Sequence, residues 1–213
     1  MTRILIADDH TLVREGLKQI LSATPGLEVV AEAMDGDQAL AHVRSTEFDL
    51  ALLDMSMPGL SGIDLIKRLK LERPKLRILV LSMHGEQQYA VRAFKAGASG
   101  YLTKDSASDQ LVAAIRKIAA GGVYISAAAA EQLAMGAMDA PGELPHRSLS
   151  DREFEVFRLL VAGTSITDIA DGLHLSVKTV STHKTRILQK MNMASTAELV
   201  RYAVENKLVD AGV

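Results

Sequence analysis

The sequence predicts an α/β domain on a doubly wound, five-stranded parallel sheet, followed by a small all-α domain of four helices. Three observations predict this. Short apolar runs alternate with amphipathic helical stretches five times between Ile4 and Ala119. Asp139-Ala140-Pro141-Gly142-Glu143-Leu144-Pro145 then holds two of the chain's five prolines and reads as a linker. Beyond it every segment has helical periodicity. The expected boundaries are 1–122 for the first domain, 123–145 for a linker with a short Ala-rich helix in Ser126–Met138, and 146–213 for the second.

Bulk composition allows both cores and excludes several classes. The chain has 213 residues, 48% hydrophobic and 23% charged. It has no Cys, which excludes disulfides and thiolate metal sites. Met1-Thr2-Arg3-Ile4 turns polar too soon for a signal peptide. No apolar run approaches the roughly 20 residues of a membrane span. The expectation is a soluble cytoplasmic protein with no membrane partner. Net charge is −2, with 15 basic and 15 acidic residues in Met1–Ser126 and 9 and 8 in His146–Val213. Yet Val177–Met191 holds Lys178, Lys184, Arg186 and Lys190 and no acid, so it is a locally basic helix.

In chain order, Ile4-Leu5-Ile6-Ala7 reads as a buried strand that ends in Asp8-Asp9. A helix over His10–Leu21 is expected to place Leu12, Leu17, Ile20 and Leu21 on one face, and Pro25-Gly26 breaks it. Glu28–Ala33 is the second strand and Asp35–Thr46 the second helix. Leu50–Leu53 is an unbroken apolar run, as a strand buried on both faces requires, with Asp54 at its end and Pro58-Gly59 turning the chain. A helix over Gly62–Leu71, a strand over Arg77–Leu81 ending in Ser82, and a helix over Glu86–Lys95 follow. Ser99–Leu102 is the fifth strand, ending near Lys104, and Ala107–Ala119 the fifth helix.

Asp8-Asp9, Asp54, Ser82 and Lys104 therefore fall at the carboxyl ends of four strands, the edge where open α/β sheets hold ligands. Three converging carboxylates repel unless a cation joins them, and oxygen-only ligands suit Mg²⁺. Beside a metal, a hydroxyl and an ammonium can hold a phosphoryl group. Asp54 is then the nucleophile, since a carboxylate forms an acyl phosphate. Singly, each has a plainer role: Asp8 or Asp9 as a helix cap, Asp54 or Ser82 in a turn, Lys104 on the surface. Their coincidence at four strand ends favours the chemistry.

These residues carry a resemblance. Asp8-Asp9, Asp54 within Leu-Leu-Asp-Met-Ser-Met-Pro-Gly, Ser82, Tyr101 and Lys104 resemble the receiver domain of two-component response regulators, a flavodoxin-like fold. The resemblance implies that Asp9, Asp54 and the Ser56 carbonyl bind Mg²⁺ directly and that Asp8 acts through water. It makes Asp54 the phospho-acceptor, and Ser82 and Tyr101 the switch pair that reports phosphorylation. Asp105 stands where many members have a proline after the lysine, and a cis bond without proline is costly.

In the second half, Ser150-Asp151-Arg152-Glu153 is a capping box, and Phe154, Phe157, Leu160 and Val161 share one face of the helix it opens. Thr164 or Ser165 caps a short helix with Ile169, Ala170 and Leu173. A tight turn, His174-Leu175-Ser176, leads into Val177–Met191, whose buried stripe is Val180, Ile187, Leu188 and Met191. The last helix, Thr196–Asn206, is expected to bury Leu199, Val200 and Ala203. The turn between the second and third helices has helix-turn-helix spacing, and the outer residues of the third suit a nucleic acid. A solvated surface helix is the plainer alternative. Leu149-Ser150-x-Arg152-Glu153-x-Glu155-Val156, Ile169-Ala170-x-x-Leu173 and Ser176-Val177-Lys178-Thr179-Val180-x-x-His183 resemble the LuxR-type DNA-binding domain. Ile166-Thr167 departs from the polar-basic pair usual there.

By that resemblance Ser181, Thr182 and Thr185 face bases, while Lys178, Thr179, His183 and Lys184 face phosphates. The whole chain is similar to NarL/FixJ-type response regulators. This implies a transcription factor switched at Asp54 by a cognate sensor histidine kinase, binding double-stranded promoter DNA as a homodimer. It leaves room for RNA polymerase as a partner and limits catalysis to self-phosphorylation and self-dephosphorylation. A metal-dependent phosphatase or phosphotransferase is the main competing class. Phosphatases of the haloacid-dehalogenase type place a second Asp two residues after the nucleophile, where this chain has Ser56. A DNA-binder with a silent receiver is the third reading, and the intact Asp8, Asp9, Asp54 and Lys104 speak against it.

Overall fold

The computed structural model describes residues 1–57, 59, 60, 62–82, 87–104, 106, 108–126, 130, 144–206 and 208. The chain divides into two compact units, Met1–Leu133 and Ala134–Val213. In the first, β1 (Thr2–Ala7), α1 (Thr11–Ser22), β2 (Leu27–Ala33), α2 (Gly36–Ser45), β3 (Leu50–Asp54), α3 (Gly62–Glu72), β4 (Arg77–Ser82), α4 (Gln87–Ala96), β5 (Gly100–Thr103) and α5 (Ser108–Ala119) alternate. The sheet is parallel, in the order β2-β1-β3-β4-β5. The strand order reverses between β1 and β3, which opens a crevice at their carboxyl ends.

The alternation of side chains along β3 explains its unbroken apolar run. Ala51 and Leu53 join a core with α2, α3 and α4, whereas Leu50 and Leu52 join a second core with α1 and α5. Leu50, Leu52 and Leu53 are wholly buried, each contributing roughly 1.5–3 kcal/mol relative to exposure. Leu12 departs from expectation. It is 88% exposed, and Leu17 and Leu21 hold α1 to the sheet with Val13 and Ile20 packed beside them. The five residues from Leu12 to Leu17 span about 1.4 turns, so the two cannot share a face.

The chain stays on the sheet beyond α5. Tyr101 N–H donates to Tyr124 O at 3.1 Å, and Tyr124 N–H donates to Ser99 O at 3.1 Å, which makes a parallel bridge to Gly100. A Cβ on Gly100 would stand 2.6 Å from Ile118 Cδ1 and 3.2 Å from Tyr124 O, so only glycine lets α5 and this segment approach together. The helix expected within Ser126–Met138 lies outside the described residues apart from 126 and 130, as does the geometry of the Lys104–Asp105 peptide.

The second unit opens on a 3₁₀ turn, Pro145–Ser148, followed by α6 (Asp151–Val161), α7 (Ile166–Gly172), α8 (Val177–Met191) and α9 (Thr196–Glu205). Both halves of the capping box form: Glu153 N–H donates to Ser150 Oγ, and Ser150 N–H donates to Glu153 Oε2 at 2.8 Å. Phe154 and Phe157 are fully buried and stack with ring centroids 6.0 Å apart. Buried His146 holds its Nδ1 2.6 Å from the Tyr202 hydroxyl, tying the 3₁₀ turn to α9. Val200 is another correction. It is 36% exposed, because the 3.6-residue period gives the inner face to Leu199 and Ala203. Leu188 is half-buried rather than part of the enclosed stripe of Val180, Ile187 and Met191.

Candidate functional site

The ends of β1, β3 and β5 deliver three of the acidic and basic groups into one place. Asp8 follows β1, Asp54 closes β3, and the side chains of both are 1% exposed. Lys104 follows β5, where its N–H donates to Ser82 O at 2.7 Å and fixes its approach. Its Nζ lies 2.7 Å from Asp8 Oδ2 and 2.8 Å from Asp54 Oδ2. Asp9 is the open member, with a side chain 32% exposed. Ser56 donates its N–H to Asp54 Oδ1 at 3.2 Å. Ser82 is buried, and its β4 residue pairs with Thr103; Tyr101, paired with Val80 two positions earlier, is also buried. The period of two puts Ser82 and Tyr101 on the same face of neighbouring strands.

Burial is the main cause that raises the Asp54 pKa above its ordinary value, with help from the charge of Asp8; Lys104 works in the opposite direction. For Lys104, burial favours the neutral amine, but Asp54 and Asp8 outweigh it and hold the pKa above the ordinary lysine value. The ammonium is therefore permanent at neutral pH, a fixed positive charge beside a carboxylate with an unfavourable neighbour.

Two residues of this site have no place in the sequence reading. His10 Nδ1 lies 2.9 Å from Asp9 Oδ1 and 3.2 Å from Asp8 Oδ1. Ligand atoms of Asp8, Asp9, His10 and Asp54 all lie within 4.8 Å of one another, an Asp-rich group compact enough to surround one cation. Arg14 is buried in α1 and donates from its guanidinium to the Asp8 backbone carbonyl at 2.8 Å, which braces the strand end behind the site. A cation amid the apolar residues of α1 was the signal for Arg14; adjacency to Asp8-Asp9 was the only signal for His10.

In the second unit, α7 and α8 are joined by a tight turn. Its residue His174 has φ 50, and Leu175 N–H donates to Ala170 O at 2.8 Å. Ser176 caps α8 by accepting from Thr179 N–H at 3.0 Å. Lys178, Thr182 and Thr185 are exposed, and Thr179, Ser181, His183 and Lys184 are half-buried. His183 turns inward: its Nδ1 is enclosed without a hydrogen-bond partner among the described residues. Burial, then the charge of Arg152, lowers its pKa, and Arg186 adds to this against the opposing charge of Glu153.

Comparison with known proteins gives the two units a common context. Residues 4–116 match the response regulator receiver domain family, and residues 147–203 match the bacterial regulatory proteins of the luxR family. The response regulator UvrY of Escherichia coli K12 is 34% identical over 212 residues, covering 99% of this chain and 97% of its own. The response regulator GacA of Pseudomonas protegens is 35% identical over 213 residues and covers both chains completely. The chain belongs to the NarL/FixJ-type response regulators. RcsB of Salmonella enterica serovar Typhimurium, solved bound to promoter rprA with the phosphomimetic BeF₃⁻, superposes with a TM-score of 0.69. That match has 27% identity and covers 94% of this chain and 97% of RcsB. In response-regulator terms, the first unit is the receiver and the second the LuxR-type DNA-binding domain. Among the described residues of this response regulator, no helix is long and apolar enough to cross a membrane.

Proposed function

We propose that this response regulator acts in the cytoplasm, accepts a phosphoryl group on Asp54 from a cognate sensor histidine kinase and then binds promoter DNA through α8 as a homodimer. The pairing of buried Asp54 and Asp8 with the single ammonium of Lys104, at the reversal point of the sheet, supports this reading most strongly. An Asp54 carboxylate oxygen attacks phosphorus, the O–P bond forms as the donor's N–P bond breaks, and the donor imidazole leaves. Lys104 holds a phosphoryl oxygen as a point charge, and Ser82 donates its hydroxyl to another. The hard-oxygen donor set fits Mg²⁺: Asp9, Asp54 and the Ser56 carbonyl would hold it, and Asp8 would act through water. When bound, Mg²⁺ supplies charge that neutralises the phosphoryl oxygens. Chemistry is confined to phosphorylation and dephosphorylation of Asp54 itself. Tyr101 follows Ser82 as the reporter of the phosphorylated state.

The receiver occupies residues 1–122, a linker 123–145 and the DNA-binding domain 146–213. Ser181, Thr182 and Thr185 face bases; Lys178, Thr179, His183 and Lys184 face phosphates. The dimer is supported by exposed Val200 and Val204, one turn apart on α9. RNA polymerase is the further partner at the promoter. The test is phosphorylation by acetyl phosphate and Mg²⁺, followed by mass spectrometry and DNA titration. One phosphoryl group per chain is expected, absent in Asp54→Asn, with DNA affinity rising on phosphorylation. Labelling of Asp54→Asn at the wild-type rate would refute the assignment.

A further inference from the structure

The outer surface of α8 carries a ridge of four exposed residues, Lys178, Thr182, Thr185 and Gln189, spaced four, three and four residues apart. Ser181 stands beside it. The three hydroxyls on this surface already donate. Ser181 Oγ donates to Val177 O at 2.9 Å, Thr182 Oγ1 to Lys178 O at 2.9 Å, and Thr185 Oγ1 to Ser181 O at 3.1 Å. Such bonds to the carbonyl one turn back are native to Ser and Thr in helices. A hydroxyl has one proton and two lone pairs. With the proton used inside the helix, each of these groups meets a ligand only as an acceptor.

Base edges differ in whether they can satisfy an acceptor. In the major groove adenine offers the N6 amino donor, and its partner thymine a C5 methyl. Guanine offers N7 and O6, both acceptors; a C·G pair offers the N4 amino donor but no methyl. An acceptor pressed against guanine loses water and gains nothing in return. Threonine adds a methyl of its own, which suits the thymine methyl.

We infer that the middle of α8 selects A·T base pairs: the adenine amino group donates to the Thr182 and Thr185 hydroxyl oxygens, thymine methyls meet threonine methyls, and guanine is rejected there. Guanine reading is confined to pairs that face the far end of the ridge, where the Gln189 amide supplies N–H donors, while Lys178 at the near end faces phosphate. This inference rests on α8 being the DNA-recognition helix and adds the class of base pair it reads.

The test is selection from a library of randomised duplexes, using the full chain treated with acetyl phosphate and Mg²⁺. Selected half-sites are expected to hold A·T at the positions whose preference changes in Thr182→Val and Thr185→Val. Valine keeps the shape and a methyl but lacks the acceptor. Each variant is expected to bind the selected duplex about tenfold more weakly and to relax its demand for adenine. Replacing dT by dU at these positions needs no variant and is expected to weaken wild-type binding about fourfold, the worth of one buried methyl. Guanine at the positions that the variants shift would overturn the inference. So would unchanged preference in both variants together with no effect of uracil. Retention of no duplex at all would overturn the DNA-binding reading itself, and this one with it.

Discussion

At the scale of single residues, α8 separates charge from contact. Burial and the neighbouring Arg152 lower the His183 pKa. If His183 faces a DNA phosphate as proposed, it is expected to do so as a neutral donor and to release no counterion. Lys178→Ala and Lys184→Ala are each expected to reduce the slope of log K against log salt by about one, on every sequence alike. His183→Ala is expected to weaken binding and leave that slope unchanged, as DNA titrations at several salt concentrations would show. A parallel fall in slope for all three variants would contradict the neutral assignment. The lysines were legible because a run without acids stands out in a neutral domain. The inward turn of His183 was not, since it depends on how α6 packs against α8.

At the scale of elements, the capping box of α6 also positions α8. Glu153 accepts from the Ser150 N–H and from Lys190 Nζ at 2.6 Å, so one carboxylate closes the start of α6 and pins the end of α8. Burial raises the Glu153 pKa, but Lys190 and Ser150 outweigh it, and the net shift is below the ordinary 4.5. A depressed carboxylate stabilises the fold above its unfolded pKa, and that stability is lost as pH falls through the folded value. Glu153→Gln is expected to cost about 1–2 kcal/mol at pH 7. Its deficit against wild type should shrink steadily below about pH 4.5, as thermal unfolding across pH would show. A deficit independent of pH would remove the Lys190 contribution. The capping box was readable in sequence because its partners are three residues apart. The Lys190 contact spans 37 residues, and no local pattern carries it. The same limit explains Leu12 and Val200: periodicity finds a helix readily, but the choice between adjacent apolar positions belongs to the partner surface. Strand ends were the most legible feature, since Asp8, Asp54 and Ser82 each follow an apolar run directly.

At the scale of the whole molecule, a phosphoryl group on Asp54 can affect DNA binding only by shifting an equilibrium between arrangements of the protein. The unphosphorylated receiver is expected to hold α8 back from DNA, and phosphorylation to release it and favour a dimer on paired half-sites. The second unit has its own core and its own caps. A fragment from Pro145 to Val213 is therefore expected to bind DNA without phosphorylation and more tightly than the unphosphorylated full chain. Ser82→Ala is expected to accept the phosphoryl group and yet change DNA affinity little. Equal affinity of fragment and unphosphorylated full chain, at matched salt and protomer concentration, would exclude inhibition by the receiver.

The bridge from Tyr124 to β5 bears on this equilibrium from the other direction. Tyr101, the proposed reporter of the phosphoryl group, gives its backbone N–H to Tyr124, the residue through which the chain leaves the sheet. Coupling free energies are reciprocal. If phosphorylation changes how firmly Tyr124 is held, then whatever holds Tyr124 changes the stability of the acyl phosphate by the same amount. Gly100→Ala crowds that bridge and should therefore alter the lifetime of the phosphoryl group on Asp54, even though its own side chain lies outside the acidic cluster. On the proposed reading the receiver is expected to be a two-way instrument, with occupancy of DNA by the second unit feeding back on how long the first remembers its signal.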